Sequence, residues 1–250
     1  MLTQELQVLL AFGFVVIFAA HLWAIILKNQ TGRDPTISVK HLTKTLLVPL
    51  IILFFIISAP ERNWLIVTAL FLGFLGDVLL IMEEKSIKGV FLKAGLAAFL
   101  MGHIVYIIVF LQSTSFLKIV PGWFYLCAIP YIVYGAFMYT KLKNSANPLL
   151  FKSMKLPVII YMVVILTMSF SSLCLVWRGV DRLFWFPFLG SLFFVASDSL
   201  QVYKRFIKSK TPKQKPSEQE NDVWYVEKYD LPIMITYILA QLFITLGFIV

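Results

Sequence analysis

Residues Phe71 to Met82 read FLGFLGDVLLIM, an apolar run interrupted by one carboxylate, Asp77. The run reaches back to Trp64 with no other charge, and a helix of about 20 such residues crosses ~30 Å of hydrocarbon. Asp77 stands five residues before Met82, or about 8 Å of helix rise inside the membrane. A carboxylate at that depth is costly, so it faces the bundle interior and marks a functional site. The same construction recurs around Asp198 in GSLFFVASDSLQVY, Gly190 to Tyr203.

Outward from these two stretches, comparable apolar runs cover residues 6–27, 44–60, 64–82, 92–111, 122–140, 156–177, 183–203 and 231–250. The chain is 60% hydrophobic with mean hydropathy +0.85. Lipid offers no partner to backbone polar groups, so such runs must be helices. The pattern predicts an all-α polytopic membrane protein, a single domain of eight transmembrane helices over residues 1–250. The first run lacks a small-residue cleavage site and reads as a retained helix rather than a signal peptide. Cys127 and Cys174 lie within spans and read as apolar packing residues, not as a disulfide.

The net charge of +9 does not point to nucleic acid, because of where it falls. Of the 22 Lys and Arg, all but Arg62, Lys118, Arg178 and Arg182 lie in or beside the connections after spans one, three, five and seven. The positive-inside rule puts those connections in the cytoplasm and both termini on the other side. The basic rim also suits anionic headgroups. Residues 204–230, which include KRFIKSKTPKQKPSEQEND, read as a flexible cytoplasmic loop.

A faint internal repeat accompanies the aspartates. Setting Asp77 against Asp198 places Gly76 against Ser197 and Leu79 against Leu200. Both aspartates fall in the third helix of a four-helix half, and an even helix count gives two halves of parallel orientation. The repeat predicts that the third and seventh helices meet near the bundle centre.

Depth counted along each span gathers further polar residues at the aspartates' level. His21, Tyr134, Tyr161 and Tyr237 each lie five or six residues from the cytoplasmic end of their spans. Lys44 begins span two and can snorkel in either direction. Gln241 follows Tyr237 by one turn on the same face. His103 lies deeper, with Tyr106 three residues along. Tyrosine also serves as an interfacial anchor, and His21 as a plain interhelical hydrogen-bond partner. The aspartates have neither excuse.

Three histidines, His21, His41 and His103, with no HExxH pattern, disfavour a zinc hydrolase. There is no GxSxG, and Ser197 and Ser199 flank an aspartate with no histidine close in sequence, which disfavours a serine hydrolase. Two carboxyls in different environments remain, an arrangement suited to acid–base chemistry. One donates a proton while the other activates water, and Lys44 or His21 can stabilise an anion or bind phosphate.

The stretches LGDVLLI (Leu75 to Ile81), GLAAFLMGHIVYIIVF (Gly95 to Phe110) and GSLFFVASDSLQVYKRF (Gly190 to Phe206) resemble the YhhN family of lysoplasmalogenases. LTKTLLVPL (Leu42 to Leu50) and TYILAQLFI (Thr236 to Ile244) are similar to its second and last helices, so the likeness covers nearly the whole chain in order. Thr45 departs from the proline that often follows the family's lysine at this place. The resemblance implies hydrolysis of the vinyl ether bond of a lysoplasmalogen to a fatty aldehyde and a glycerophospho-ethanolamine or -choline. It implies Asp77 and Asp198 as catalytic carboxylates and no required metal or cofactor.

The expectation is therefore a membrane hydrolase acting on a lysophospholipid, in a bacterial inner membrane rather than a eukaryotic endomembrane. Asp77 and Asp198 are its catalytic pair, with either one as the acid. Lys44, His103, Tyr161, Tyr237, Gln241 and His21 are substrate-binding candidates. The rival from another class is a proton-coupled transporter using the same aspartates as a relay. A lipid-binding scaffold without turnover is the third reading.

Overall fold

The structure, a computed structural model, describes residues 2–31, 37–61, 63–84, 90–114, 121–145, 148–178, 183, 185–208 and 229–249. Eight α-helices account for nearly all of them: α1 (Leu2–Thr31), α2 (Ile37–Ser58), α3 (Trp64–Glu84), α4 (Val90–Thr114), α5 (Ile129–Ser145), α6 (Pro148–Arg178), α7 (Trp185–Lys208) and α8 (Asp230–Leu246). Each expected apolar run coincides with one helix. No strand occurs among the described residues.

Helices α1 to α6 lie in stretches long and apolar enough to cross a membrane. Outward-facing side chains agree: Val8, Phe12 and Ile132 are each more than 65% exposed. Apolar surface on that scale suits lipid, not water. The chain is an integral membrane protein. Helix α7 is less apolar because it carries Ser191, Ser197, Asp198, Ser199 and a basic end, and α8 is only 17 residues long.

One interior cluster holds the bundle together, with Leu47, Phe55, Leu70, Phe110, Phe194 and Ile238 at its centre, each at most 2% exposed. Lipid tails are as apolar as these side chains, so helix association depends on close packing. Gly190 shows how close. A methyl group there would lie 2.8 Å from the Ala240 carbonyl oxygen of α8.

The packing repeats between halves. Helix α3 packs on α4 as α7 packs on α8, α2 on α3 as α6 on α7, and α1 on α2 as α5 on α6. Between halves, α4 packs on α6 as α8 packs on α2. Contacts of α1 with α8 and of α5 with α7 have no counterparts among the main interfaces. A repeat of four helices per half accounts for the rest.

Three expectations need correction. Helices α3 and α7 do not form a main interface; α4 and α8 supply the side chains between them. The fifth span opens with a 3₁₀ segment, Gly122–Ala128, before α5 begins. Pro130 has no N–H and its ring would crowd the carbonyl of residue 126 in an α-turn. The Leu126 carbonyl accepts instead from the N–H of Ile129. Finally, residues 204–208, expected in the loop, continue α7. The rest of that loop, residues 209–228, lies outside the described residues.

Candidate active site

Asp77 sits on the inward face of α3 with only 3% of its side chain exposed. Lys44 Nζ, from α2, lies 3.1 Å from its Oδ1. Tyr237, from α8, donates its hydroxyl proton to Oδ2 at 2.8 Å. One oxygen is thus met by a cation and the other by a hydroxyl, the compensation a buried carboxylate requires.

Asp198 on α7 is held differently. Tyr161, from α6, donates to its Oδ2 at 2.6 Å. His103 Nε2, from α4, lies 3.2 Å from that oxygen and 3.1 Å from the Tyr161 hydroxyl. Since the Tyr161 proton goes to the carboxyl, the hydroxyl oxygen accepts, which assigns the imidazole proton to Nε2. The buried Nδ1 has no hydrogen-bond partner among the described residues, in keeping with a bare lone pair. Asp198 Oδ1 accepts no hydrogen bond from the described residues and is left for the cleft.

The two arrangements correspond helix by helix. Asp77 is held from α2 and α8; Asp198 is held from α6 and α4, their counterparts in the other half. Lys44 therefore matches Tyr161, and Tyr237 matches His103. The repeat places like helices around each carboxyl, and the side chains make the difference. One aspartate faces a fixed cation and the other does not.

Both aspartates line one cleft of about 480 Å³, counting its open mouth. Lys44, Tyr161 and Tyr237 share its wall. So do two residues that depth alone had not singled out, Phe99 and Gln201. Phe99 precedes His103 by one turn, and its ring meets that of Tyr237 edge-on at 6.0 Å. Gly76 leaves it room: a methyl group at Gly76 would lie 2.6 Å from the Phe99 ring. Gln201 follows Asp198 by three residues, so helical periodicity from the aspartate points to it.

The remaining candidates sort by position. His103 and Gln241 stand behind the cleft wall and hold residues that form it. Lys44 lines the cleft with its ammonium 3.1 Å from Asp77 Oδ1. His21 does not reach the cleft. Its Nδ1 lies 2.8 Å from Thr43 Oγ1, whose own proton goes to the Val39 carbonyl at 2.7 Å. His21 therefore donates, tying α1 to α2. Tyr134 also turns away, to Ser199 Oγ at 2.8 Å. Ser197 donates to the Ile233 carbonyl at 3.2 Å, a tether between α7 and α8. No group of three or more His, Cys, Asp or Glu side chains gathers as a metal-ligand set among the described residues.

Searches of curated proteins and of solved structures return no match. The model of the YhhN family matches residues 39–248, a stretch that includes every residue of the cleft wall and both residues that stand behind it. On that match, the chain belongs to the YhhN family.

Proposed function

We propose that this protein is a lysoplasmalogenase-type hydrolase, cleaving the vinyl ether bond of a lysoplasmalogen to a fatty aldehyde and a glycerophospho-base. The YhhN family includes lysoplasmalogenases. The observation that carries the reading is the pair of carboxyls in one cleft, with a fixed cation on Asp77 alone. Asp77 is buried and Asp198 half-buried; the two carboxyls with one ammonium form a neutral group when one carboxyl holds a proton, and an uncompensated charge on the buried member is costly. Lys44 assigns the anion to Asp77. The proton then rests on Asp198 Oδ1, the oxygen left toward the cleft.

A vinyl ether is an electron-rich alkene, and its slow step is proton transfer to carbon. Asp198 Oδ1 gives its proton to the alkene carbon remote from the ether oxygen; the π electrons form the new C–H bond and an oxocarbenium ion results. The anionic carboxyls stabilise that charge as it develops. Water adds to the carbon that bears oxygen while Asp77 accepts the water proton. In the hemiacetal so formed, the hydroxyl proton passes to Asp198, the carbon–oxygen bond to glycerol breaks, and Asp77 returns its proton to the glycerol oxygen. Both aspartates end as they began, and one water is consumed. The logic parallels that of a glycosidase carboxyl pair.

Tyr161 and His103 fix Asp198 Oδ2 and leave Oδ1 to react. A single-chain lipid enters from the leaflet, its alkenyl chain along the apolar wall and its headgroup toward the basic rim. That rim is cytoplasmic in this reading, with both termini on the opposite side.

The test is aldehyde release from purified protein supplied with a lysoplasmalogen. Asp77→Asn and Asp198→Asn should each lower kcat by ~10²-fold or more with folding intact. Activity surviving in both variants would refute the carboxyl mechanism. A silent wild type would favour the proton-coupled transporter.

A further inference from the structure

Gln201 follows Asp198 by three residues on α7, which puts the two side chains on one face of the helix. It is half-buried and lines the cleft. Every other polar side chain of the wall is engaged: Lys44 and Tyr237 with Asp77, Tyr161 with Asp198, and Ser197 with the Ile233 carbonyl. The Gln201 amide makes no hydrogen bond among the described residues. It offers the cleft an acceptor and two donors, all uncharged.

We propose that Gln201 is a specificity-determining residue of the site, its Oε1 accepting the proton of the free sn-2 hydroxyl of a single-chain glycerolipid. The proposal rests on reading the cleft as a lysolipid site. Two observations carry it.

The first is the unpartnered amide. A polar side chain set half out of water gains from a ligand that replaces the hydrogen bonds it has lost. Of the groups next to the vinyl ether of a lysoplasmalogen, the ether oxygen only accepts and the alkene carbons do neither. The sn-2 hydroxyl both donates and accepts, as the amide does. In a two-chain lipid that oxygen is esterified. It then has no proton to give, and an acyl group stands where the amide would meet it.

The second is the repeat. The register that sets Asp77 against Asp198 sets Leu80 against Gln201, and both line the cleft. The two halves thus present an apolar and a polar side chain at matching places, which gives the cleft a direction. The alkenyl chain follows Leu80, Leu96 and Phe99 of the first half. The glycerol lies toward Gln201, whose amide leaves a missing hydroxyl unanswered, and a site built to bond a hydroxyl rejects the analogue without one.

The test measures binding, so it does not depend on turnover. Three saturated ethers serve as probes, none of them hydrolysable by this route: 1-O-hexadecyl-glycero-3-phosphoethanolamine, its 2-deoxy analogue and its 2-O-methyl ether. In detergent-purified protein the free hydroxyl should bind about fivefold tighter or more than either analogue. The methyl ether keeps an oxygen that accepts but has lost the proton, so it should bind no better than the deoxy lipid. Gln201→Leu, which gives this half the side chain of the other, should bind all three alike, at the wild-type affinity for the deoxy lipid. That retained affinity also shows the variant to be folded. Gln201→Glu keeps an acceptor at the same reach and should keep the preference for the hydroxyl.

Equal wild-type affinity for the three lipids would overturn the proposal, as would a Gln201→Leu variant that keeps the preference or a Gln201→Glu variant that loses it. A Gln201→Leu variant that weakens all three equally would assign the residue to the fold and likewise overturn it. Hydroxyl-dependent binding that follows Gln201, in a protein that releases no aldehyde, would uphold this site and refute the hydrolase. Aldehyde release with no preference for the hydroxyl would do the reverse.

Discussion

Tyr106 on α4 donates a 2.9 Å hydrogen bond to Gln241 Oε1 on α8, joining the two helices that reach across to the opposite half's aspartate. The amide of Gln241 then lies with its Nε2 3.4 Å from the Tyr237 hydroxyl, which itself donates to Asp77. A buried polar chain therefore runs from Tyr106 through Gln241 and Tyr237 to the Asp77 carboxyl. Tyr106 and Gln241 are each 1% exposed, so no water substitutes for a missing member.

Gln241→Leu should break that chain. It strands the Tyr106 hydroxyl and loosens Tyr237, for a stability loss of about 1–3 kcal/mol. Thermal unfolding in detergent reads the loss, and a several-fold fall in kcat with KM unchanged would mark a positioning role. An unchanged melting temperature would show that the chain contributes nothing to the fold.

Lys44→Met should be among the most damaging single changes. It leaves Asp77, 3% exposed, as an unpaired anion, at a cost of about 3–5 kcal/mol. Adding Asp77→Asn removes the charge and retains a partner for Tyr237, so the double variant should recover most of the stability. A double-mutant cycle tests this. If the two changes simply add, the pair does not interact as described.

Isotope labelling can test where the proton goes. In heavy water the released aldehyde should carry a single deuterium at the carbon next to the carbonyl, put there by Asp198. In oxygen-18 water the glycerophospho product should stay unlabelled, because water attacks the alkenyl carbon and the glycerol oxygen is retained. Mass spectrometry reads both. Label in the glycerol would mean that the glycerol carbon–oxygen bond breaks, and would sink the proposed sequence of steps.

Terminal fusions test orientation. In a bacterial host, alkaline phosphatase fused at either end should be active and green fluorescent protein dark. The reverse pattern would invert the membrane placement and bring the basic rim to the outer leaflet.

How far the sequence could lead is clearest at His21, Tyr134 and Lys44. Span length and distance from the cytoplasmic end give a residue's depth, which is why Asp77, Asp198, Tyr161 and Tyr237 fall together at one level. Depth does not give rotation about the helix axis. In a bundle surrounded by lipid the outward face is as apolar as the inward one, so no amphipathic stripe reports which way a side chain points. His21 and Tyr134 lie at the right height and turn to Thr43 and Ser199 instead. Partnership was equally hidden, because the residues that hold Asp77 lie 33 positions before and 160 after it. The repeat between Asp77 and Asp198 was legible, yet α3 and α7 face one cleft without forming a main interface.

Each aspartate is held by one helix of its own half and one of the other: Asp77 by Lys44 and Tyr237, Asp198 by Tyr161 and His103. A half standing alone in the bilayer would present an incompletely satisfied carboxyl to lipid, and it is relieved only when its sister arrives. Carboxyl pair and seam are thus one structure. The residues that satisfy each carboxyl also make a half-built protein unstable, so a chain that has failed to join its halves is left open to proteolysis.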